Sequence, residues 1–463
     1  MQGFGSGLIL GKRTITTRGV SLKLSSQLHE FFMSGDIDNA AKSNKFVRRK
    51  SALTGDAFVD TLMHCGFGDK TKSLNDMVSY LHLNHQVTIS KQALDQRFSI
   101  ASTLFLKNLV EKFLKEILPK ESSMEQFKNF RTVKIKDSTC FQLPEAFASI
   151  YPGSGGAASK AMIRIQFEYD FKSGTVYDLS AHAFNDQDQT DSQETLSGIQ
   201  GGDLLIRDLG YVNIKYMEHI EDVCAYYLNR SSSNVVMYEK KNNGKFVRLD
   251  LDKIKHVMKA NGLDSIEKEV YLSSKKSVKT RLIIELLPQD EYEKRIRKAT
   301  KEANKKKRQL SNEFKIRAAL NLFITNIPKK LLATDKVRNL YRLRWQVELI
   351  FKTWKSFGAL HETKQMKIDR FNTNLFAKLL LILLNWKILW TAYSCYWQKN
   401  IFVSLIKFFK LLINQQSEIR ESIRTGIGSL IDRLDRLFTM PKATIQSEKK
   451  KGNMSLKEIL LMN

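Results

Sequence analysis

Cysteine is scarce in this chain of 463 residues: Cys65, Cys140, Cys224 and Cys395 lie far apart, and no Cys-x-x-Cys pair occurs. A disulfide framework and a structural zinc site are therefore not expected, and a reducing, cytoplasmic compartment is the simplest setting. His82 and His85 lack a second ligand pair at metal-site spacing, so they are read as loop or surface histidines. Long apolar runs are also missing. Leu8-Ile9-Leu10 is too short for a signal peptide, and basic residues follow it rather than precede it. Leu375–Trp390 is the one serious membrane candidate, but Lys378, Asn385 and Lys387 interrupt it below the roughly 18 apolar residues a span needs. A helix buried inside the protein is expected there, and no membrane partner. No internal repeat is evident.

Acid is in deficit. Against 75 Lys and Arg stand 48 Asp and Glu, a formal net charge of +27. The surplus recurs at Lys45–Lys50, Lys294–Arg308 and Lys449–Lys451. It favours a polyanionic partner, nucleic acid above all, although a surplus of either sign would also serve solubility. The length calls for two or three domains.

Residues up to about Leu118 read as helical. Leu74, Met77, Val78 and Leu81 recur at helical spacing before a polar break at Asn84–His85, and Ser90 can N-cap a long helix carrying Leu94, Phe98, Leu104, Phe105, Leu109 and Phe113. Two helices around a short turn in a basic segment suit a DNA-reading module or a plain helical hairpin. From Phe130 the period becomes two: Arg131–Phe141, then Met162–Phe171 and Thr175–Phe184 flanking Lys172-Ser-Gly174, a hairpin signal. A helix is expected across Asp191–Ile199, a short strand over Asp203–Asp208, a helix from Val212 to about Ile220 and a strand near Ala225–Asn229. Residues 230–313 break the rhythm with short strands at Val235–Lys240, Lys245–Leu251, Glu269–Leu272 and Thr280–Leu287, a helix at Leu251–Asn261 and a basic helix from about Asp290 to Leu310. Ala319–Thr325 resumes the sheet, and a helix begins near Asp335. The expected fold is a mixed α/β sheet with helical cover, interrupted by a β-rich insertion.

That last helix carries Tyr341, Arg344, Glu348 and Lys355 as Tyr-x2-Arg-x3-Glu-x6-Lys. At about 100° per residue these four fall within roughly 60° of one another. Leu343, Val347, Ile350, Phe351, Trp354 and Phe357 make a separate apolar stripe. A carboxylate among cations suits a metal-binding acid beside a phosphate backbone; an ordinary Arg344–Glu348 surface pair satisfies the same spacing. Asp137 shares strand parity with Val133 and Ile135, and Asp208 with Leu204 and Ile206. An acid on the core-facing side of a strand is costly unless a cation compensates it. Two such aspartates with Glu348 are what a pair of Mg²⁺ ions requires. Asp170, Asp178, Asp186, Asp188 and Asp203 compete, most of them in expected turns or strand edges.

Together these motifs resemble the DDE insertion-sequence transposases, specifically the insertion-sequence-four group defined by the Y-R-E-K pattern. The resemblance runs through Ser90–Phe98, Lys136-Asp137-Ser-Thr139, Leu204–Tyr211 (Leu-Leu-Ile-Arg-Asp-Leu-Gly-Tyr), Phe323–Pro328 and Tyr341–Lys355. It implies an RNase H-like catalytic core at 119–229 and 314–365, the insertion at 230–313, a helical DNA-end-binding region at 1–118 and helical residues 366–463. Asp137, Asp208 and Glu348 then look like the catalytic, metal-binding triad, with two Mg²⁺ ions for which Mn²⁺ can substitute. Tyr341, Arg344 and Lys355 look like DNA-gripping companions. Arg230 is either a further DNA contact or one more surface arginine.

The implied activity is cut-and-paste transposition: hydrolysis at inverted-repeat ends of double-stranded DNA, then joining of the 3′-OH to target DNA. A homodimer would pair two ends. Phe402, Leu405, Phe408, Phe409, Leu411 and Leu412 would supply that contact or pack within the chain. Alternatives are an inactive DNA-binding relic and a nuclease without strand transfer. One departure stands out: relatives can stack an extruded base on a tryptophan in the insertion, yet every tryptophan here lies at or after Trp345. Tyr238, Phe246 or Tyr271 are the available substitutes, and Trp345 and Trp354 are read as packing residues.

Overall fold

A computed structural model describes residues 16–66, 72–115, 127–154, 160–185, 196–211, 213–231, 235–272, 278–305, 307–399 and 401–446. The chain forms two compact units, one from the N-terminal helices together with Asn372–Gln446, the other from Ser122–Phe371. Leu8–Leu10, Asp186, Asp188, Lys449–Lys451 and most of Asp191–Ile199 lie outside the described residues.

The first unit opens with α1 (Thr17–Met33), α2 (Asp36–Ser43), α3 (Gly55–Cys65), α4 (Leu74–His85), α5 (Lys91–Arg97) and α6 (Ile100–Lys115). Ser90 does cap α5, accepting from the Ala93 amide. The single long helix expected from there is two: Phe98 turns extended, and Ser102 Oγ accepts the Ser99 amide at 2.9 Å. A second capping side chain so close competes with helix continuation and restarts it. His85 is not a loop or surface residue either, since it closes α4 with its side chain 9% exposed and its Nε2 2.8 Å from Asp60.

The second unit is built on one mixed sheet of ten strands among the described residues, ordered β3-β2-β1-β4-β5-β10-β9-β8-β6-β7. These are β1 (Val133–Gln142), β2 (Met162–Asp170), β3 (Val176–Ala183), β4 (Leu204–Arg207), β5 (Tyr226–Arg230), β6 (Met237–Lys240), β7 (Phe246–Arg248), β8 (Ser265–Leu272), β9 (Val278–Leu286) and β10 (Leu320–Thr325). The β2–β3 hairpin turns through Gly174 at φ +72°, where glycine carries no steric penalty. β1 pairs antiparallel with β2 but parallel with β4, and β4 parallel with β5. β9 pairs with β10, so the insertion extends the core sheet rather than standing beside it.

The helices of this unit are α7 (Ile214–Asp222), α8 (Leu251–Ala260), α9 (Gln289–Lys305), α10 (Asn312–Ala318), α11 (Val337–Tyr341) and α12 (Trp345–Ser356). The helix expected from Asp335 is not continuous. A 3₁₀ turn, Arg342–Arg344, separates α11 from α12. Such a turn advances about 120° per residue, so Tyr341 and Arg344, three apart, come nearly into one row.

The chain returns to the first unit through α13 (Ile368–Trp397), α14 (Leu405–Asn414), α15 (Gln416–Thr425), α16 (Ile427–Phe438) and α17 (Lys442–Ile445). α13 is long and apolar enough to cross a membrane by composition, but its apolar stretch is almost wholly buried within the protein. Lys387 lies 4.7 Å from the Phe113 ring centroid, so the interrupting cation sits over an aromatic face. Phe402, Leu405, Phe408, Phe409 and Leu412 are buried within the chain, the intrachain packing their spacing left open, whereas Leu411 is only partly buried.

Candidate active site

The parallel register of β1 and β4 decides where the aspartates stand. Val133, Lys134 and Ile135 pair with Leu204, Leu205 and Ile206. Carrying that register two residues further brings Asp137 opposite Asp208, each at the same position on neighbouring strands. Asp208 lies one residue beyond the end of β4, at the start of the turn Leu209–Tyr211.

Packing then aims the helix. Val347, Ile350, Phe351 and Trp354 are buried, and the Trp354 ring packs edge-on against Phe167 of β2 at 4.9 Å. That stripe seats α12 on the sheet and turns its polar flank over the aspartates. Arg344 Nη1 donates to Asp137 Oδ2 at 2.6 Å, and Arg344 Nη2 donates to Glu348. Tyr341 OH donates to Asp208 Oδ1 at 3.0 Å, and its ring packs on Phe323 at 5.3 Å. Five of the seven residues singled out from the sequence thus meet in one place.

The other two are differently placed. Lys355, two turns along α12, is half-buried and donates to the Cys140 carbonyl at 3.0 Å. Burial lowers its pKa. Arg230 ends β5 with Phe323 as its cross-strand partner, and its charge reaches the Tyr341 hydroxyl.

Electrostatics couple the members of this cluster to one another. Burial raises the Tyr341 pKa, and Asp208 adds to the rise. Burial disfavours the charged Arg344, but Tyr341, Asp208, Asp137 and Glu348 outweigh it and raise its pKa. Burial pushes the Asp137 carboxyl up to about 6; Arg344 and the Ser138 amide oppose the rise, while Asp208 and Glu348 add to it. The unfolded chain ionises such a group near 3.9, so the folded protein holds the proton to higher pH. Ionising Asp137 therefore costs on the order of 3 kcal/mol of stability, absent below about pH 4 and complete above about pH 6. In metal-free thermal denaturation, wild type is expected to lose stability relative to Asp137→Asn as pH rises through that window. Parallel pH profiles would contradict the buried-carboxyl assignment.

The donor set suits a hard divalent ion in kind, being carboxylate oxygen. The site also already selects positive charge, since two of its acids share one guanidinium. It is not a preformed cage: among the described residues no three acid, histidine or cysteine side chains stand as a metal-holding group, because Arg344 fills the interval between Asp137 and Glu348.

The competing acids have structural partners. Asp170 accepts the Val133, Lys172 and Ser173 amides at the hairpin. Asp203 pairs with Arg131 and Lys134, and Asp178 with Lys136. Trp354 is a packing residue as expected, but Trp345 is not, with 56% of its surface exposed. It opens α12 one residue after Arg344, on the flank turned away from the apolar stripe. In the insertion, Phe246 and Tyr271 pack against each other at 5.0 Å.

Residues 128–386 match the family model described as a transposase DDE domain, more than half of the chain. The chain belongs to the DDE transposases. The transposase of insertion sequence element IS1151 from Clostridium perfringens is 31% identical over 80% of this chain and 81% of its own length. That of IS231B from Bacillus thuringiensis subsp. berliner is 29% identical over 90% of each. That of IS231E from Bacillus thuringiensis subsp. finitimus is 29% identical over 80% of each. The core of this transposase is RNase H-like, and the enzyme cleaves DNA and transfers strands. Its family depends on divalent metal.

What the sequence did not reveal is that Arg344 would sit between two of the acids. Its i,i+4 spacing to Glu348 was legible; its reach to a strand more than two hundred residues earlier was not.

Proposed function

We propose that this transposase moves an insertion sequence by cut-and-paste, with Asp137, Asp208 and Glu348 as its metal-binding acids. The observation that carries this reading is two aspartates in matching register on parallel strands, with Glu348 tied to the first through Arg344. A pair of Mg²⁺ ions, for which Mn²⁺ can substitute, would polarise the scissile phosphodiester and stabilise the oxygen that leaves.

The remaining roles belong to the chain's own side chains. Tyr341, Arg344, Glu348 and Lys355 constitute the Y-R-E-K signature of the insertion-sequence-four group. Tyr341 orients Asp208 through its hydroxyl. Arg344 neutralises the acids and offers a fork suited to phosphate oxygens, and Lys355 supplies a point charge further along the same helix. Arg230 extends the cationic rim.

On α9 no side chain is buried, and Arg297, Lys301 and Lys305 repeat every four residues, about 6 Å apart along the axis. That row suits contacts to a duplex backbone. We assign DNA-end binding to residues 1–118, catalysis to 119–229 and 314–365, the insertion to 230–313, and synapsis to a homodimer with residues 366–463 as its candidate contact. The setting is the cytoplasm, at the nucleoid.

The test uses the element's own terminal repeats. Pre-cut ends with free 3′-OH groups, incubated with enzyme, Mg²⁺ and plasmid, are expected to yield joined product. Cleavage of intact ends without joining of pre-cut ones would favour a nuclease, and retardation without nicking an inactive DNA-binding relic.

A further inference from the structure

Behind the sheet, on the face opposite the aspartates, lies a row of charge that the reaction does not touch. Glu168 of β2 is the cross-strand partner of Lys136 on β1. Lys136 Nζ stands 3.9 Å from Glu168 Oε2 and 2.9 Å from Asp178 Oδ2. Arg207, the last residue of β4, donates from Nη2 to Glu168 Oε1 at 3.0 Å. Its guanidinium also lies over the Tyr216 ring at 4.7 Å and the Tyr211 ring at 5.6 Å. All three charged residues are buried: Lys136 0%, Arg207 1% and Glu168 4% exposed. Burial pushes the Glu168 carboxyl up, but Arg207, Lys136 and Lys134 outweigh it and hold the group ionised.

A buried ion pair is a weak source of stability compared with apolar packing, so its usefulness lies in what it fixes. Here the sequence shows what that is. Lys136 immediately precedes Asp137, and Arg207 immediately precedes Asp208. Successive strand side chains point to opposite faces, so an anchor at 136 or 207 sets how the next residue is aimed in front. The anchor matters most for Asp208, which lies past the last paired residue of β4.

We propose that Glu168 is a positioning residue for the acid site: by gripping Lys136 and Arg207 behind the sheet it sets the spacing of Asp137 and Asp208 before it. This rests on the reading of those aspartates as metal-binding acids. Outer partners that bond a metal ligand directly change affinity by about 10–100-fold when removed, which sets the upper bound for Glu168, one residue further back.

The experiment measures Mn²⁺ binding to the full-length protein by the electron paramagnetic resonance signal of free Mn²⁺. Retardation of a terminal-repeat duplex and circular dichroism are followed in parallel. Glu168→Gln is expected to stay folded and keep its duplex affinity while Mn²⁺ binding weakens by up to about 10-fold, the low end of what direct partners of a ligand contribute, with Glu168→Asp closer to wild type. A folded Glu168→Gln that binds Mn²⁺ as wild type does overturns the proposal. Should Glu168→Gln not fold, the pair Glu168→Gln with Arg207→Met removes both charges and is read the same way. Asp137→Asn, run alongside, separates the two levels. Undiminished Mn²⁺ binding by Asp137→Asn defeats the acid-site reading and this inference with it. Weakened binding there with unchanged binding in the Glu168 variant defeats this inference alone.

Discussion

Glu348→Gln is expected to reduce divalent-ion-dependent cleavage of the element's ends by a factor on the order of 10³, several kcal/mol of lost charge stabilisation. The substitution keeps the size of the side chain and its place on α12, where Val347, Ile350 and Trp354 hold the backbone regardless. It removes one of the two carboxylates that share the Arg344 guanidinium. Retardation of a terminal-repeat duplex should persist or strengthen, because a negative charge beside phosphate has gone. Asp137→Asn and Asp208→Asn should behave alike, since the proposed function makes all three acids ligands of the same ions. Cleavage at wild-type rate by Glu348→Gln would reject the assigned chemistry, whatever the variant does to binding.

Arg344→Ala has the second large effect, in the opposite sense for the metal-free protein. Arg344 is the cation nearest to Asp137, and its guanidinium side chain is 14% exposed. Without it two partly buried carboxylates face each other uncompensated, a loss of about 1–3 kcal/mol by the usual cost of leaving a charged partner unpaired. The melting temperature should fall at neutral pH, and Mn²⁺ should recover more of it than in wild type, since the ion no longer competes with a guanidinium. The logarithm of duplex affinity should also depend less steeply on the logarithm of salt concentration, by about 0.9 for each phosphate that the variant no longer neutralises. An unchanged salt slope would show that Arg344 stays with the acids and never reaches phosphate.

The parts that local pattern controls were legible from sequence. Period-two alternation located β1 and the β2–β3 hairpin, and the apolar stripe on α12 named the residues that seat it. Parity put Asp137 and Asp208 each on the core-facing side of its own strand, and the parallel β1–β4 register then set them opposite each other. Longer-range outcomes were not legible. The α5–α6 break depends on Ser102 capping backward to Ser99, a side-chain choice that apolar spacing does not record. His85 is drawn in by Asp60, twenty-five residues earlier. Lys134 and Lys136 occupy what alternation marks as the outer face of β1, yet both are buried against acids from other segments. Trp345 lies outward because it stands nine residues, about half a turn in phase, from Trp354, opposite the apolar stripe of α12.

The most direct measurement replaces Mg²⁺ with Fe²⁺ in the presence of peroxide, so that radicals made at the bound ion cut the neighbouring backbone. Mapping the fragments of the full-length chain is expected to show breaks beside residues 137, 208 and 348, all three suppressed by excess Mg²⁺. Breaks confined to other segments, or at only one of these three, would mean that the acids do not gather around a common ion.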